Sequence, residues 1–92
     1  MTVTVRIPAQ LRTLTAGAGE VTAAGATVGD VLKDLDAAHP GFGERLFDDA
    51  GGLRRFVNVY LNGDDIRFLQ ALDSKVKDGD DISIVPAIAG GR

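Results

Sequence analysis

The sequence predicts an α+β fold: a mixed sheet of four or five strands with one amphipathic helix laid across one face. Three observations predict it. Apolar and polar residues alternate near both ends of the chain, with Val3, Val5 and Ile7 at the start and Ile82 and Ile84 at the finish, the period of a strand buried on one side. Val28, Val31, Leu32 and Leu35 fall at i, i+3, i+4 and i+7, which gives a helix one apolar stripe. The run Phe56-Val57-Asn58-Val59-Tyr60-Leu61-Asn62 is rich in β-branched and aromatic residues and reads as a further strand. A single helix covers one face of such a sheet, so the other face is expected to stay open.

The elements follow in order. Pro8 limits the first strand because it has no N–H for a ladder. Thr13, Thr15, Gly17 and Gly19 punctuate residues 9–19 as a connection, and Glu20 to Ala24 returns as a second, antiparallel strand. Thr27 followed by Asp30 matches a helix-start capping pattern, and Pro40-Gly41 stops that helix just past His39. Phe42 to Phe47 reads as a short helical turn, and Asp48-Asp49-Ala50-Gly51-Gly52 as a polar turn. The central strand closes on Asn62-Gly63. From Ile66 to Val76 no clean period appears, and the expectations are a short strand near Ile66 and a helical turn around Leu69 to Leu72. Lys77-Asp78-Gly79-Asp80 turns the chain into the last strand, Ile82 to Val85, and Pro86 lets the backbone leave the sheet. This order suggests a β-grasp, with the domain at residues 1–86 and a flexible tail at 87–92.

Composition excludes several kinds of chemistry. The chain has 92 residues, enough for one core, with no Cys and a single His. Disulfides, thiolate nucleophiles, cysteine metal sites and multi-histidine clusters are therefore out, and no bound metal or cofactor is expected. His39, at the predicted helix end, reads as a cation meeting the helix dipole. Asp64, Asp65, Asp73, Asp78, Asp80 and Asp81 lack the spacing of a calcium loop, so they read as solvated turn carboxylates that steer a basic partner. The net charge of −3 gives no field for nucleic acid or an anionic membrane. No run reaches the roughly 18–20 apolar residues of a membrane span, and the start lacks a signal-like pattern, so a cytoplasmic protein is expected.

Strand parity puts Arg6, Phe56, Tyr60 and Val85 on the open face, where aromatic and Arg residues suit a docking patch. The competing expectation is that the loop from Pro40 to Arg55 folds over that face and buries it.

The turn Asp78-Gly79-Asp80-Asp81, the strand Ile82-Ser83-Ile84-Val85-Pro86 and the tail pair Gly90-Gly91 together resemble the MoaD/ThiS family of ubiquitin-like sulfur carriers, over nearly the whole chain. Arg55 to Asn62 followed by Asp65-Ile66-Arg67-Phe68 resembles most the actinobacterial branch that serves cysteine synthesis. The resemblance implies a carrier, not an enzyme, acting as co-substrate of its partners. An E1-like enzyme would adenylate the Gly91 carboxylate with ATP, and a sulfur donor would displace AMP to leave a thiocarboxylate. Ala87, Ile88, Ala89 and Gly90 would thread the partner's channel, a path that residues without Cβ make narrow. A PLP-dependent cysteine synthase would then accept the sulfur, with a metalloprotease releasing the product. The same resemblance leaves room for a molybdopterin-synthase small subunit, a thio-sugar donor, a modifier conjugated to lysines, or a non-covalent binding module. The free carrier would be a monomer. Arg92 follows Gly91, so a working form ending at Gly91 calls for a processing protease or for Arg92 being foreign to the native chain.

Overall fold

Val3 and Val5 point inward from a strand that pairs on both sides, as their alternation with Thr2, Thr4 and Arg6 requires. The computed structural model describes residues 2–49, 51–54 and 57–86. Its strands are β1 (Thr2–Arg6), β2 (Glu20–Ala24), β3 (Val57–Leu61), β4 (Asp64–Asp65) and β5 (Asp81–Pro86), with helices α1 (Val28–Ala38) and α2 (Phe42–Leu46). The sheet order is β2-β1-β5-β3-β4. β1 runs parallel to β5, and the other neighbours are antiparallel. The last strand in sequence is thus the middle strand in space.

The helix stripe predicted from the period forms. Val28, Val31, Leu32 and Leu35 are all at most 1% exposed and lie against the inward residues of the sheet, Val59, Ile82 and Ile84 among them. Each such side chain contributes roughly 1.5–3 kcal/mol when fully buried. Thr27 caps α1 by accepting the Asp30 N–H at 3.2 Å, and the chain leaves the helix at His39, whose backbone N–H reaches the Leu35 carbonyl. The His39 ring stands edge-on to Phe42 at 6.5 Å between centroids.

Two segments differ from the sequence expectation. Residues 9–19 hold a 3-10 helix, Ala9–Thr15, because Leu11 drops into the core and the Thr15 hydroxyl donates to the Ala18 carbonyl at 2.8 Å. The short fourth strand is Asp64–Asp65. Ile66 instead opens a 3-10 turn, Ile66–Phe68, since the Asp65 carboxylate accepts the Arg67 N–H at 2.9 Å and bends the chain off the ladder. The next turn is Ala71–Asp73, with Ala71 at a left-handed φ of 53°. The short helical turn expected at residues 42–47 forms as α2. Gly41, at φ 114°, takes a conformation that glycine adopts freely. Asp36 then accepts the Gly43 N–H at 2.8 Å, so α1 supplies the cap for α2. Phe56 and the tail residues 87–92 lie outside the described residues. No helix among the described residues is long and apolar enough to cross a membrane.

Candidate docking face and the root of the tail

The register aligns one row across the uncovered face: Glu20, Arg6, Ser83, Tyr60 and Asp65, taken from β2, β1, β5, β3 and β4 in turn. Arg6 sits between two acids. Its Nε donates to Asp81 at 2.9 Å and its Nη1 to Glu20 at 2.8 Å. The hydrogen bond and charge of Asp81, with the charge of Glu20, raise the Arg6 pKa above its ordinary value. The guanidinium is therefore held in one place over the sheet, while both pairs stay solvated and add little to stability. Tyr60 is half-buried, and Val85, next to Asn58 in the register, is 45% exposed. Arg6, Tyr60 and Val85 thus share the open face as strand parity predicts.

The described part of the 40–55 loop does not cover that face. Phe42 and Leu46 are fully buried in the core alongside α1, and Arg54 folds back to α2, its backbone N–H donating to the Leu46 carbonyl at 2.8 Å. The described part of the loop lies on the helix side of the sheet.

At one end of the sheet, two turns are laced together. Asn62, at a left-handed φ of 53°, donates through Nδ2 to Asp80 and accepts the Asp81 N–H through Oδ1. Asp80 also accepts the Lys77 N–H at 2.7 Å. This backbone hydrogen bond, and after it the one from Asn62, lowers the Asp80 pKa below the ordinary carboxylate value. Asp78 accepts the Thr2 N–H at 3.0 Å. The acids of this turn serve as acceptors for the fold.

At the opposite end, Pro86 pairs with Val57, and the tail departs from there. Arg67 braces this root: its guanidinium donates to the Val57 carbonyl at 2.9 Å and to the Asn58 side chain. The tail residues Ala87, Ile88, Ala89, Gly90 and Gly91 lie outside the described residues, as does Phe56. The feature that strand parity missed is Phe68, 86% exposed, with Leu69 beside it at 46%. The available signal was an apolar pair directly after Arg67 in a stretch without period, where neither residue has a core face to join.

Comparison with known proteins bears on this arrangement. The pattern of the ThiS family matches residues 5–91. The chain belongs to the ThiS family. It is 48% identical over 93 residues to the Mycobacterium tuberculosis protein named sulfur carrier protein CysO, covering 99% of this chain and all of that one. A chain in the crystal structure of the Amycolatopsis orientalis BexX/CysO complex superimposes with a TM-score of 0.90 at 48% identity, over 97% of this chain and 99% of that chain. A Haloferax volcanii relative, small archaeal modifier protein 3, is 42% identical over 66 residues, which is 72% of this chain and 71% of the relative. The architecture is the ubiquitin-like β-grasp of the CysO chain in that complex, and the relatives are named as a carrier and a modifier rather than enzymes.

Proposed function

We propose that this chain is a sulfur carrier of the cysteine-synthesis type, with the Gly91 carboxylate as its working group. The observation that supports the reading is that the family match extends through residue 91, so the likeness includes the Gly90-Gly91 pair. A carboxylate is a poor electrophile at neutral pH. Attack of its oxygen on the α-phosphorus of ATP expels pyrophosphate and gives an acyl-adenylate. Attack of sulfide expels AMP and leaves the thiocarboxylate directly; attack of a persulfide's outer sulfur expels AMP to give an acyl disulfide, from which a thiol frees the thiocarboxylate and takes the remaining sulfur into a disulfide. The sulfur then becomes a nucleophile towards an activated serine derivative held by a PLP enzyme, and both ATP and PLP are bound by the partners. In this sequence the Gly91 carboxyl is tied up in a peptide bond to Arg92, so cleavage after Gly91 precedes activation.

The test is mass spectrometry after incubation with ATP, sulfide and an E1-like activating enzyme. A chain ending at Gly91 should gain the mass of one oxygen-to-sulfur exchange at Gly91, and an intact Arg92-bearing chain should not. Conversion of the intact chain would overturn the proposed working form.

The activating enzyme docks, in this reading, on the open face around Arg6, Tyr60 and Val85. Replacing both Arg6 and Tyr60 by Ala should raise KM for the carrier about tenfold, the scale of losing an interface anchor. The thermal transition should stay near its original value, because both side chains leave the core untouched. An unchanged KM would remove this face from the docking surface.

One relative favours a second reading. The Haloferax protein is named a modifier, and a modifier ends in isopeptide bonds to lysines. A ladder of higher-mass adducts on denaturing gels would distinguish that outcome from a thiocarboxylate donor.

A further inference from the structure

β2 stands at the end of the sheet, so one side of it pairs with β1 and the other meets no strand among the described residues. The Ile7 N–H donates to the Gly19 carbonyl at 2.8 Å, and the Thr4 N–H turns the other way, to the Asp80 carbonyl at 3.0 Å. By the alternation of an antiparallel ladder, the N–H and C=O groups of Glu20, Thr22 and Ala24 therefore face outward. A bare edge of this kind is a template for another strand. One of its positions is filled from within the chain. Asp34, on α1, accepts the Ala24 N–H at 2.9 Å, so its carboxylate sits where an added strand would set a carbonyl oxygen.

The two ends of this edge carry opposite charge. Past Ala24, the Asp30 Cβ lies 2.8 Å from the place a Cβ on Gly25 would take. Before Glu20, the Arg12 Nη2 lies 3.3 Å from the place a Cβ on Gly19 would take, with its Nε donating to the Ile7 carbonyl at 3.1 Å. Neither Asp30 nor Arg12 forms an ion pair among the described residues. An antiparallel pairing of two β2 strands centred on Thr22 sets Thr22 against Thr22, Glu20 against Ala24 and Gly19 against Gly25. Opposed Cβ positions in such a pair are about 5 Å apart, so Arg12 of each copy comes beside Asp30 of the other. Such an exposed pair fixes register more than strength, and the two-fold contact closes as a dimer. In the native chain this same register sets each Asp34 carboxylate against the Glu20 carbonyl of the other copy, two acceptors contending for one Ala24 N–H.

We infer that Asp34 is a plug on the β2 edge that keeps the chain a monomer, and that the occupant it holds off is a second copy of the chain paired through β2. The inference stands independently of the carrier reading, since it uses only the backbone edge, Asp34 and the charges at the two ends of the strand.

Sedimentation equilibrium on the full chain reads the outcome. Wild type should sediment as one chain, and Asp34→Ala should shift towards twice that mass as concentration rises. Asp34→Asn keeps an oxygen able to accept the Ala24 N–H and should stay monomeric. Thr22→Pro added to Asp34→Ala should return the monomer, because it removes an outward N–H and no bond to β1. Asp30→Lys in the Asp34→Ala background should weaken the dimer by placing like charges together. A folded Asp34→Ala chain that stays monomeric overturns the inference. A wild-type chain that dimerises equally, or an Asp34→Ala dimer that survives Thr22→Pro, overturns it too. Amide hydrogen exchange tests the plug in the wild-type chain without any substitution: the Ala24 amide should exchange more slowly than the Thr22 amide, and equal rates would mean that Asp34 does not occupy the edge.

Discussion

Phe42→Ala is expected to lower stability by about 3–5 kcal/mol, the cost of emptying a well-packed aromatic site. Phe42 is fully buried and opens α2, the five-residue helix that joins α1 on the covered face. Leu46 supplies one more buried side chain, Asp36 accepts hydrogen bonds from Gly41 and Gly43, and Arg54 donates to the Leu46 and Glu44 carbonyls. A helix this short has no stability of its own in water. Losing the ring therefore costs its burial and also the contact that orders residues 42–46. Set against a total of about 5–15 kcal/mol for a typical domain, this loss should move the urea midpoint far to the left. A loss under about 1 kcal/mol, the level of a routine surface change, would mean that α2 is not part of the core.

The second large effect belongs to Gly25, the residue between β2 and the cap of α1. A Cβ there would lie 2.7 Å from the Val31 nitrogen and 2.8–2.9 Å from Asp30 atoms. The nearest obstacle is helix backbone, which cannot rotate aside as a side-chain tip can. Gly25→Ala should push the start of α1 off the edge of β2 and cost about 1–3 kcal/mol, the range for forced overpacking. Thermal unfolding of the variant measures this. Gly52, by contrast, lies outside the left-handed region and meets only the Asp48 Oδ1, at 4.0 Å, where its Cβ would be, so an effect at Gly52 equal to that at Gly25 would argue against the steric account.

The strands and α1 were legible because burial writes a period into the sequence. Val3, Val5, Ile82 and Ile84 alternate because one face is dry, and Val28 to Leu35 repeat at helical spacing for the same reason. Parity along β1, β3 and β5 then located Arg6, Tyr60 and Val85 on the open face without further information. The segment from Asp64 to Asp73 was not legible in this way. Its shape comes from single hydrogen bonds, such as Asp65 to the Arg67 N–H, and from Ala71 taking a left-handed φ, which leave no repeating mark. Phe68 escaped notice for that reason, since an apolar residue without a period resembles a core residue of uncertain placement. The cap that Asp36 gives α2 was hidden too, because the partners lie across a turn that only the folded chain brings together.

The placement of β5 between β1 and β3 has a bearing on how the protein is made. During synthesis the chain can form the β1–β2 and β3–β4 pairs before Asp81 emerges, but each is a two-stranded piece, and such pieces are marginal in water. Only when residues 81–86 leave the ribosome do the halves acquire a common seam, through Thr4 to Asp81 on one side and Leu61 to Ile82 on the other. A chain released early lacks the strand that joins the sheet and is exposed to proteolysis. Folding thus acts as a length check: a molecule with a joined sheet has been translated through the last strand, Asp81–Pro86.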